Sequence, residues 1–437
     1  AGLYIPSERN LAFQEIALRT FGGELYGQGS VIFGRGSPGM VFGLRIPKMP
    51  VAEVKQLWPL PVADGARRWI LPNIFGGMVT GGSIDIAFAP GRFTSSDDPP
   101  PLGPDEVKVD ADVENTRFDV LGDLPAVREA SGHVAVRGAH ATVELKNGTA
   151  YMPDNRTAEI SNGHLDIPWG PQRPVIAGLN IDVKGEAGAI ARIVGYKPIN
   201  ALRYVDFGPD DVSGAVSSHI DVQFPITAHA PEGSTNWSAE MDFEDLSIAK
   251  PLDGQSVSDA RGTLKVTQES ATVQAKAKLN GIPAKITLFE PFSDSGGKRQ
   301  RTVSLELDDK ARQKIAPELS GLVSGPVFVN VATQSADEEI AAADLSKAEL
   351  TFPWVGWSKG AGVNATATFQ LVKDGKRTEI KGLDISGSTF RIRGKLSMGP
   401  DGLQSGDFTQ VSLNKGDDTA IKIDRTKGGY AVNLTGK

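Results

Sequence analysis

Histidines, paired carboxylates and glycine-rich turns are the places where chemistry would first show. The five histidines, His133, His140, His164, His219 and His229, stand apart from any second ligand at helical or hairpin spacing, so no metal centre is expected. His219 alternates with Asp221 on the side of a strand opposite Ile220, Val222 and Phe224, which turns it toward solvent. Asp206, Asp210 and Asp211 lie close together, but turn formation and helix capping account for them without the facing pair that glycoside hydrolysis needs. Gly360-Ala361-Gly362-Val363-Asn364-Ala365 fits the letters of a dinucleotide loop. It runs into the alternating "NATATFQLV", a strand where that loop requires a helix. There is no G-x-S-x-G elbow and no Walker A loop. The chain has no cysteine, which excludes disulfides, zinc-thiolate sites and thiol catalysis. Neither a cofactor nor an enzymatic activity is expected.

The charge balance narrows the partners. A net charge of -7 from mixed signs, without a basic stripe, argues against nucleic acid. The one basic cluster, Lys298-Arg299-Gln300-Arg301, follows Gly296-Gly297 and has the composition of a solvated hairpin tip. No stretch approaches the roughly 18 apolar residues of a membrane-crossing helix. The opening "AGLYIPSERN" lacks the basic and apolar regions of a signal peptide, so the expectation is a cytosolic protein or one whose targeting or anchoring segment is missing.

With reactive side chains set aside, the elements themselves carry the pattern. Fifty glycines and 28 prolines among 437 residues, with abundant Val, Ile, Thr and Ser, point to a mainly β chain with many turns. Val-(Ser/Thr)-Gly occurs at Val79-Thr80-Gly81, Val212-Ser213-Gly214 and Val323-Ser324-Gly325. A helix-like segment precedes each copy: "VADGARRWILPNI" from Val62, "GAIARIVGYKPINALRYVDF" from Gly188 with Pro198 breaking it, and "DDKARQKIAPEL" from Asp308. A strand follows each, with Ile84, Ile86 and Phe88, then Ile220, Val222 and Phe224, then Val327, Val329 and Val331 sharing one side. A second glycine-led strand comes later in each module, at Gly132, Gly262 and, in a degenerate third copy, Gly362. Further alternation, as in Val107-Val109-Ala111-Val113 and Val273-Ala275-Ala277-Leu279, joins these landmarks. Asn147-Gly148, Asn162-Gly163 and Asn280-Gly281 have the composition of hairpin turns, and Asp97-Asp98-Pro99-Pro100-Pro101 that of a linker. The expected organisation is an N-terminal β segment (residues 1–60) and three repeat modules (61–187, 188–307 and 308–437) forming one antiparallel meander with a few short helices.

Such a meander carries more apolar strand surface than its few helices can cover. Two outcomes stand: a second sheet closes over it as a sandwich core, or the walls stay parted as a greasy trough.

The segment "MPVAEVKQLWPLPVADGARRWILPNIFGGMVTGGSIDIAF" (Met49 to Phe88) resembles the AsmA-like superfamily, in particular its long YhdP/TamB-like members. The resemblance rests on Leu57-Trp58-Pro59, the Arg67-Arg68-Trp69-Ile70 helix, the Asn73-x-x-Gly76-Gly77 turn and the strand beyond, with the glycine-rich "FGGELYGQGSVIFGRG" upstream. It implies a long curved antiparallel sheet, a β-taco-like groove with an apolar interior. It also implies a periplasmic location, an N-terminal anchor in the inner membrane, phospholipid acyl chains as cargo moving between inner and outer membranes, and envelope or outer-membrane proteins as partners. The sequence departs from that pattern in carrying no anchor and in its short length, so it is expected to be a segment of such a protein. The family supplies no catalytic residues. The lining residues expected are Ile84, Ile86, Phe88, Ile220, Val222, Phe224, Val327, Val329 and Val331. The alternative is a structural or adhesive envelope protein with closed β-sandwich cores; a carbohydrate-active β fold stands third.

Overall fold

The computed structural model describes residues 2–34, 36–58, 64–93, 101–120, 122–169, 173–197, 199–227, 231, 233–252, 255–292, 298–333, 338–374, 377–399 and 402–436. His229, Pro59, Pro198, Gly296-Gly297 and residues 97–100 of the expected linker lie outside them. The protein is mainly β, with 66% of residues in strands and 11% in helix. It divides into two compact units, residues 1–246 with 265–268, and residues 247–264 with 269–437.

In the first unit, β1 (Gly2–Ile5), β2 (Asn10–Arg19), β3 (Glu24–Ile32) and β4 (Gly39–Pro50) lead into α1 (Val51–Leu57) and α2 (Asp64–Asn73). The two-residue β5 (Ile74–Phe75) is followed by β6 (Met78–Phe88), β7 (Val107–Phe118), β8 (Val127–Arg137), β9 (His140–Tyr151), β10 (Thr157–Pro168) and β11 (Val175–Glu186). Then come α3 (Ala187–Gly195) and β12 (Val212–Ile226). Apart from β5, which pairs with β7, each strand pairs antiparallel with the next, β4 directly with β6. β13 (Asn236–Leu252) and β14 (Gln255–Thr267) contribute residues to both units.

In the second unit, β15 (Ser270–Leu279), β16 (Ile282–Pro291) and β17 (Gln300–Leu307) precede α4 (Asp309–Ile315). β18 (Val323–Ser324), β19 (Val327–Thr333), β20 (Glu338–Asp344), β21 (Glu349–Phe352) and β22 (Trp357–Lys359) follow. The unit ends with β23 (Ala365–Asp374), β24 (Arg377–Gly387), β25 (Arg391–Gly399), β26 (Gly402–Ser412), β27 (Thr419–Thr426) and β28 (Gly429–Gly436). The main ladder is again antiparallel, β15 through β17, then β19, β20 and β23 through β28. β18, β21 and β22 form a small separate sheet.

The helices are insertions between strands that are already ladder neighbours. α1 and α2 interrupt β4–β6, α3 interrupts β11–β12, and α4 interrupts β17–β19. Because strand direction alternates, the α1/α2 and α3 insertions fall on the same edge of the first unit's sheet. This gives the repeated Val-(Ser/Thr)-Gly a physical meaning: it marks where the chain leaves a helical insertion and re-enters the sheet. Val79 and Val212 are buried, and Val323 packs against the core beneath α4. Gly214 (φ +118°) and Gly325 (φ +81°) then take the left-handed backbone region that a Cβ disfavours. A Cβ at Gly214 would also sit 2.7 Å from Leu246 Cα.

Two expected hairpin turns are corrected. Asn147-Gly148 lies inside β9 and Asn162-Gly163 inside β10; only Asn280-Gly281 of the three is a turn, joining β15 to β16 with both φ positive. Asn162 (φ +50°) instead sits at a β-bulge, where the β10–β11 register shifts between Ser161 and His164. Similar shifts occur at Val79/Gly81, Val113/Thr116 and Arg128/Ser131, with Asn115 and Glu129 also at positive φ. A bulge takes the same positive φ as a tight turn, which is why composition alone confuses the two. Gly362 lies in a turn before β23 and does not open a strand, unlike Gly132 within β8 and Gly262 within β14.

The bulges also switch phase. Below them, Val134 and Val136 of β8 and Leu165 and Ile167 of β10 carry the apolar side. Above them the buried residues are Val127 of β8, and Ala158 and Ile160 of β10. The extra residue keeps one side apolar along the whole strand while bending it. No helix among the described residues is long and apolar enough to cross a membrane.

Candidate functional site

Cross-strand register assembles the apolar side chains of the first unit into rows. One row runs Leu44, Ile84, Val109, Val136, Ala141 and Ile167. A second runs Ala111, Val134, Val143, Leu165, Leu179 and Val222. Phe42, Ile86 and Val107 make a shorter third, and Ile181 meets Ile220. Directly opposed residues share a side of the sheet, so these rows are continuous aliphatic tracks. Five strand-to-strand steps span about 24 Å. That exceeds the ~15 Å of a single leaflet's hydrocarbon, half of a bilayer core of about 30 Å.

The tracks are half-covered. Ile84, Ile86, Phe88, Ile220, Val222 and Phe224 are all half-buried, as are Val109, Val134, Val136, Val143, Leu165 and Leu179. A sealed sandwich core would place such aliphatics out of water, as this protein does beneath its helices. Ala187 through Ala191 of α3 are buried at one end of the strands, with Val212 and Val216. Ile46, Met49, Val51 and Val79 form a closed cluster beneath α1.

The third set of expected lining residues is placed differently. Val327 is 5% exposed inside a closed core with Leu307, Ala311, Ala348, Leu350 and Phe390, so it is a core residue. Val329 flanks that core, and Val331 is half-buried opposite Val303 and Ala341.

Three cations pin these insertions by donating to backbone carbonyls, and sequence reasoning singled out none of them. Lys55 Nζ lies 2.6 Å from both Leu71 O and Ile74 O, above the Phe75 ring. Arg312, 5% exposed, donates to Gly325 O at 2.7 Å and Val323 O at 2.8 Å and pairs with Asp309. Lys359, 4% exposed, donates to Leu345 O at 2.6 Å and Ala348 O at 2.7 Å, and burial pushes its pKa down. Asp308 caps α4 through Ala311 N at 2.7 Å. At α3, Asp154 accepts from Arg156 at 2.6 Å and Arg192 at 2.9 Å, and Arg156 reaches Asp210 at 2.8 Å. Asp210, considered as a carboxylate for chemistry, is thus part of a structural ion network.

The opposite side of the first unit's sheet is polar and internally paired. Arg45 meets Asp85 at 2.9 Å, and Arg137 meets Asp110 at 2.7 Å, which holds Asp110 below its usual carboxylate range. His133 lies 3.1 Å from Asp112, and His140 pairs with Asp166. His219 Nδ1 is 2.7 Å from Asp182, which raises the imidazole pKa, with Asp221 adding to the effect. Asp182 is lowered by Asn162 first and His219 second. These histidines each hydrogen-bond to a single surface carboxylate, and among the described residues no group of three or more His, Asp or Glu is arranged to hold a metal. A shallow cavity at the β2–β3 turn is lined by Arg19, Thr20, Gly22, Gly23, Glu24, Pro47 and Lys48, away from the aliphatic rows.

No family model, curated protein or solved structure matches the chain.

Proposed function

We propose that this protein is a non-enzymatic lipid-binding segment whose half-covered aliphatic rows carry phospholipid acyl chains. The observation that carries the reading is the row from Ala111 to Val222, continuous across six strands and half-exposed, behind a side saturated with ion pairs. Acyl chains need only continuous apolar contact, about 0.8 kcal/mol per buried methylene. A row of similar aliphatics offers near-equal contact at successive positions, which lets a chain slide. In the first unit the lining set is Ile84, Ile86, Phe88, Ile220, Val222 and Phe224; of the second unit's Val327, Val329 and Val331, Val327 belongs to a closed core and Val331 is the half-buried candidate.

The resemblance at Met49 to Phe88 extends this to an AsmA-like, YhdP/TamB-like protein of the periplasm. In that setting an inner-membrane anchor lies elsewhere in the full protein, and phospholipid passes toward the outer membrane. A second reading, an envelope scaffold with sealed cores, draws on the closed cluster beneath α4. The test is extraction of fluorescent phospholipid from vesicles by the 437-residue chain. The lipid reading expects saturable uptake competed by unlabelled phospholipid; no uptake favours the scaffold.

A further inference from the structure

We infer that the β2–β3 turn is a membrane anchor, with Phe21 as an aromatic prong that enters an anionic phospholipid surface. Phe21 is 107% exposed, so the fold covers none of its ring. The backbone that carries it is nevertheless held firmly. The Glu53 carboxylate of α1 accepts from Gly22 N at 3.0 Å and from the Thr20 hydroxyl. Thr20 N donates to Gly23 O at 2.9 Å, and Thr20 Oγ1 accepts from Gly23 N at 3.1 Å. Gly22 and Gly23 let the turn lie against β4: a Cβ would sit 2.5 Å from Pro50 Cγ at the first and 2.3 Å from Lys48 O at the second. A side chain that adds nothing to folding, on a turn fixed by a carboxylate from another element, is positioned for something outside the molecule. Ordering the turn in advance lowers the conformational cost of binding.

The surroundings select a phospholipid surface as that occupant. Lys55 of α1 donates to Leu71 O and Ile74 O at the end of α2, so the turn, α1 and α2 form one connected edge. Trp69 of α2 is 53% exposed along it. Across residues 19–24 and 47–73 five Lys or Arg stand against three Asp or Glu, whereas the whole chain has a net charge of -7. At the turn itself Glu24 lies opposite both Arg19 and Lys48, so two cations share one carboxylate. Exposed aromatics beside a local excess of cations match the layers of a bilayer surface: rings enter the hydrocarbon boundary while cations meet anionic headgroups. The basic excess is what favours lipid over an apolar pocket in another protein. Docking of this kind does not require the aliphatic rows to hold cargo.

The test is co-sedimentation of the 437-residue chain with vesicles of phosphatidylcholine alone and of phosphatidylcholine with phosphatidylglycerol. Binding to the anionic vesicles is expected, weaker on the neutral ones and at high salt. Phe21→Ser is expected to weaken it by at least about tenfold, at an unchanged melting temperature because the ring has no packing to lose. Arg19→Gln is expected to weaken it by about fivefold on the anionic vesicles. Leu434→Ser, at a 64% exposed apolar residue of the second unit, is expected to leave binding unchanged. No binding to either vesicle overturns the inference and leaves a protein pocket as the occupant. So does binding that survives Phe21→Ser, or that falls equally in Leu434→Ser. Val222→Asp keeps this outcome separate from the lipid-carrying reading, because it is expected to impair extraction while docking persists.

Discussion

Val222→Asp separates a parted trough from a sealed core. Val222 ends the six-strand row, opposite Leu179, and is half-buried. Full burial of a valine is worth about 1.5–3 kcal/mol, so a half-covered one contributes about 0.8–1.5 kcal/mol, and the new carboxylate retains access to water on the open side. In a unit of this size 1 kcal/mol shifts the melting temperature by about 2–4 °C. The expected fall is therefore about 2–6 °C, with a cooperative fold retained. A sealed site would instead trap an unpaired charge costing several kcal/mol, comparable with the whole net stability of a domain. Lipid binding should respond more strongly. Loss of contact with two methylenes, about 1.6 kcal/mol, weakens binding more than tenfold. The assays are a thermal melt and vesicle extraction, with Gln223→Asp on the exposed side as the control that changes neither. An unfolded Val222→Asp, or a folded one that extracts lipid as well as the parent, refutes the reasoning.

Removing the Arg312 guanidinium leaves the Val323 and Gly325 carbonyls without their buried donor. Arg312→Ala is expected to cost about 3 kcal/mol, read by urea unfolding; a change below 1 kcal/mol would contradict the clamp. Lys359 has a folded pKa depressed by burial from 10.5, so the unfolded chain binds more protons in the alkaline window below that value. Stability there should rise with pH relative to Lys359→Met, and a flat difference would count against the assignment. For His219 the sign is opposite: its folded pKa is raised above 6.5, so its contribution is complete below that value and fades as pH climbs through the folded pKa. The pair is half-exposed, and the loss is under about 1 kcal/mol, detectable as a slope absent from His219→Gln. Gly214→Ala meets both a positive φ and Leu246 Cα, and is expected to destabilise by about 2 kcal/mol, whereas a neutral result would remove the reason given for the repeated glycine.

Much of the architecture was legible in residue order. Period-two alternation at Ile84-Ile86-Phe88 and Val107-Val109-Ala111-Val113 identified strands and their apolar side, and helical spacing before each Val-(Ser/Thr)-Gly located α2, α3 and α4. The outward orientation of His219 and Asp221 also followed from alternation. The bulges were not legible, because Asn162-Gly163 satisfies the same backbone demand in a bulge as in a turn. Val327 was indistinguishable from Val222 by pattern; only the cover supplied by α4 and the small sheet separates the buried valine from the half-buried one. α1 went unseen because seven residues give barely two turns of periodicity. Lys55, Arg312 and Lys359 act through carbonyls remote in sequence, a relation that no local spacing encodes.

The most direct measurement of the central claim is native mass spectrometry of the protein after gentle purification from a phospholipid-containing host. The account predicts a ladder of masses each separated by one phospholipid, diminished in Val222→Asp. A single lipid-free mass under conditions that preserve weak complexes contradicts it.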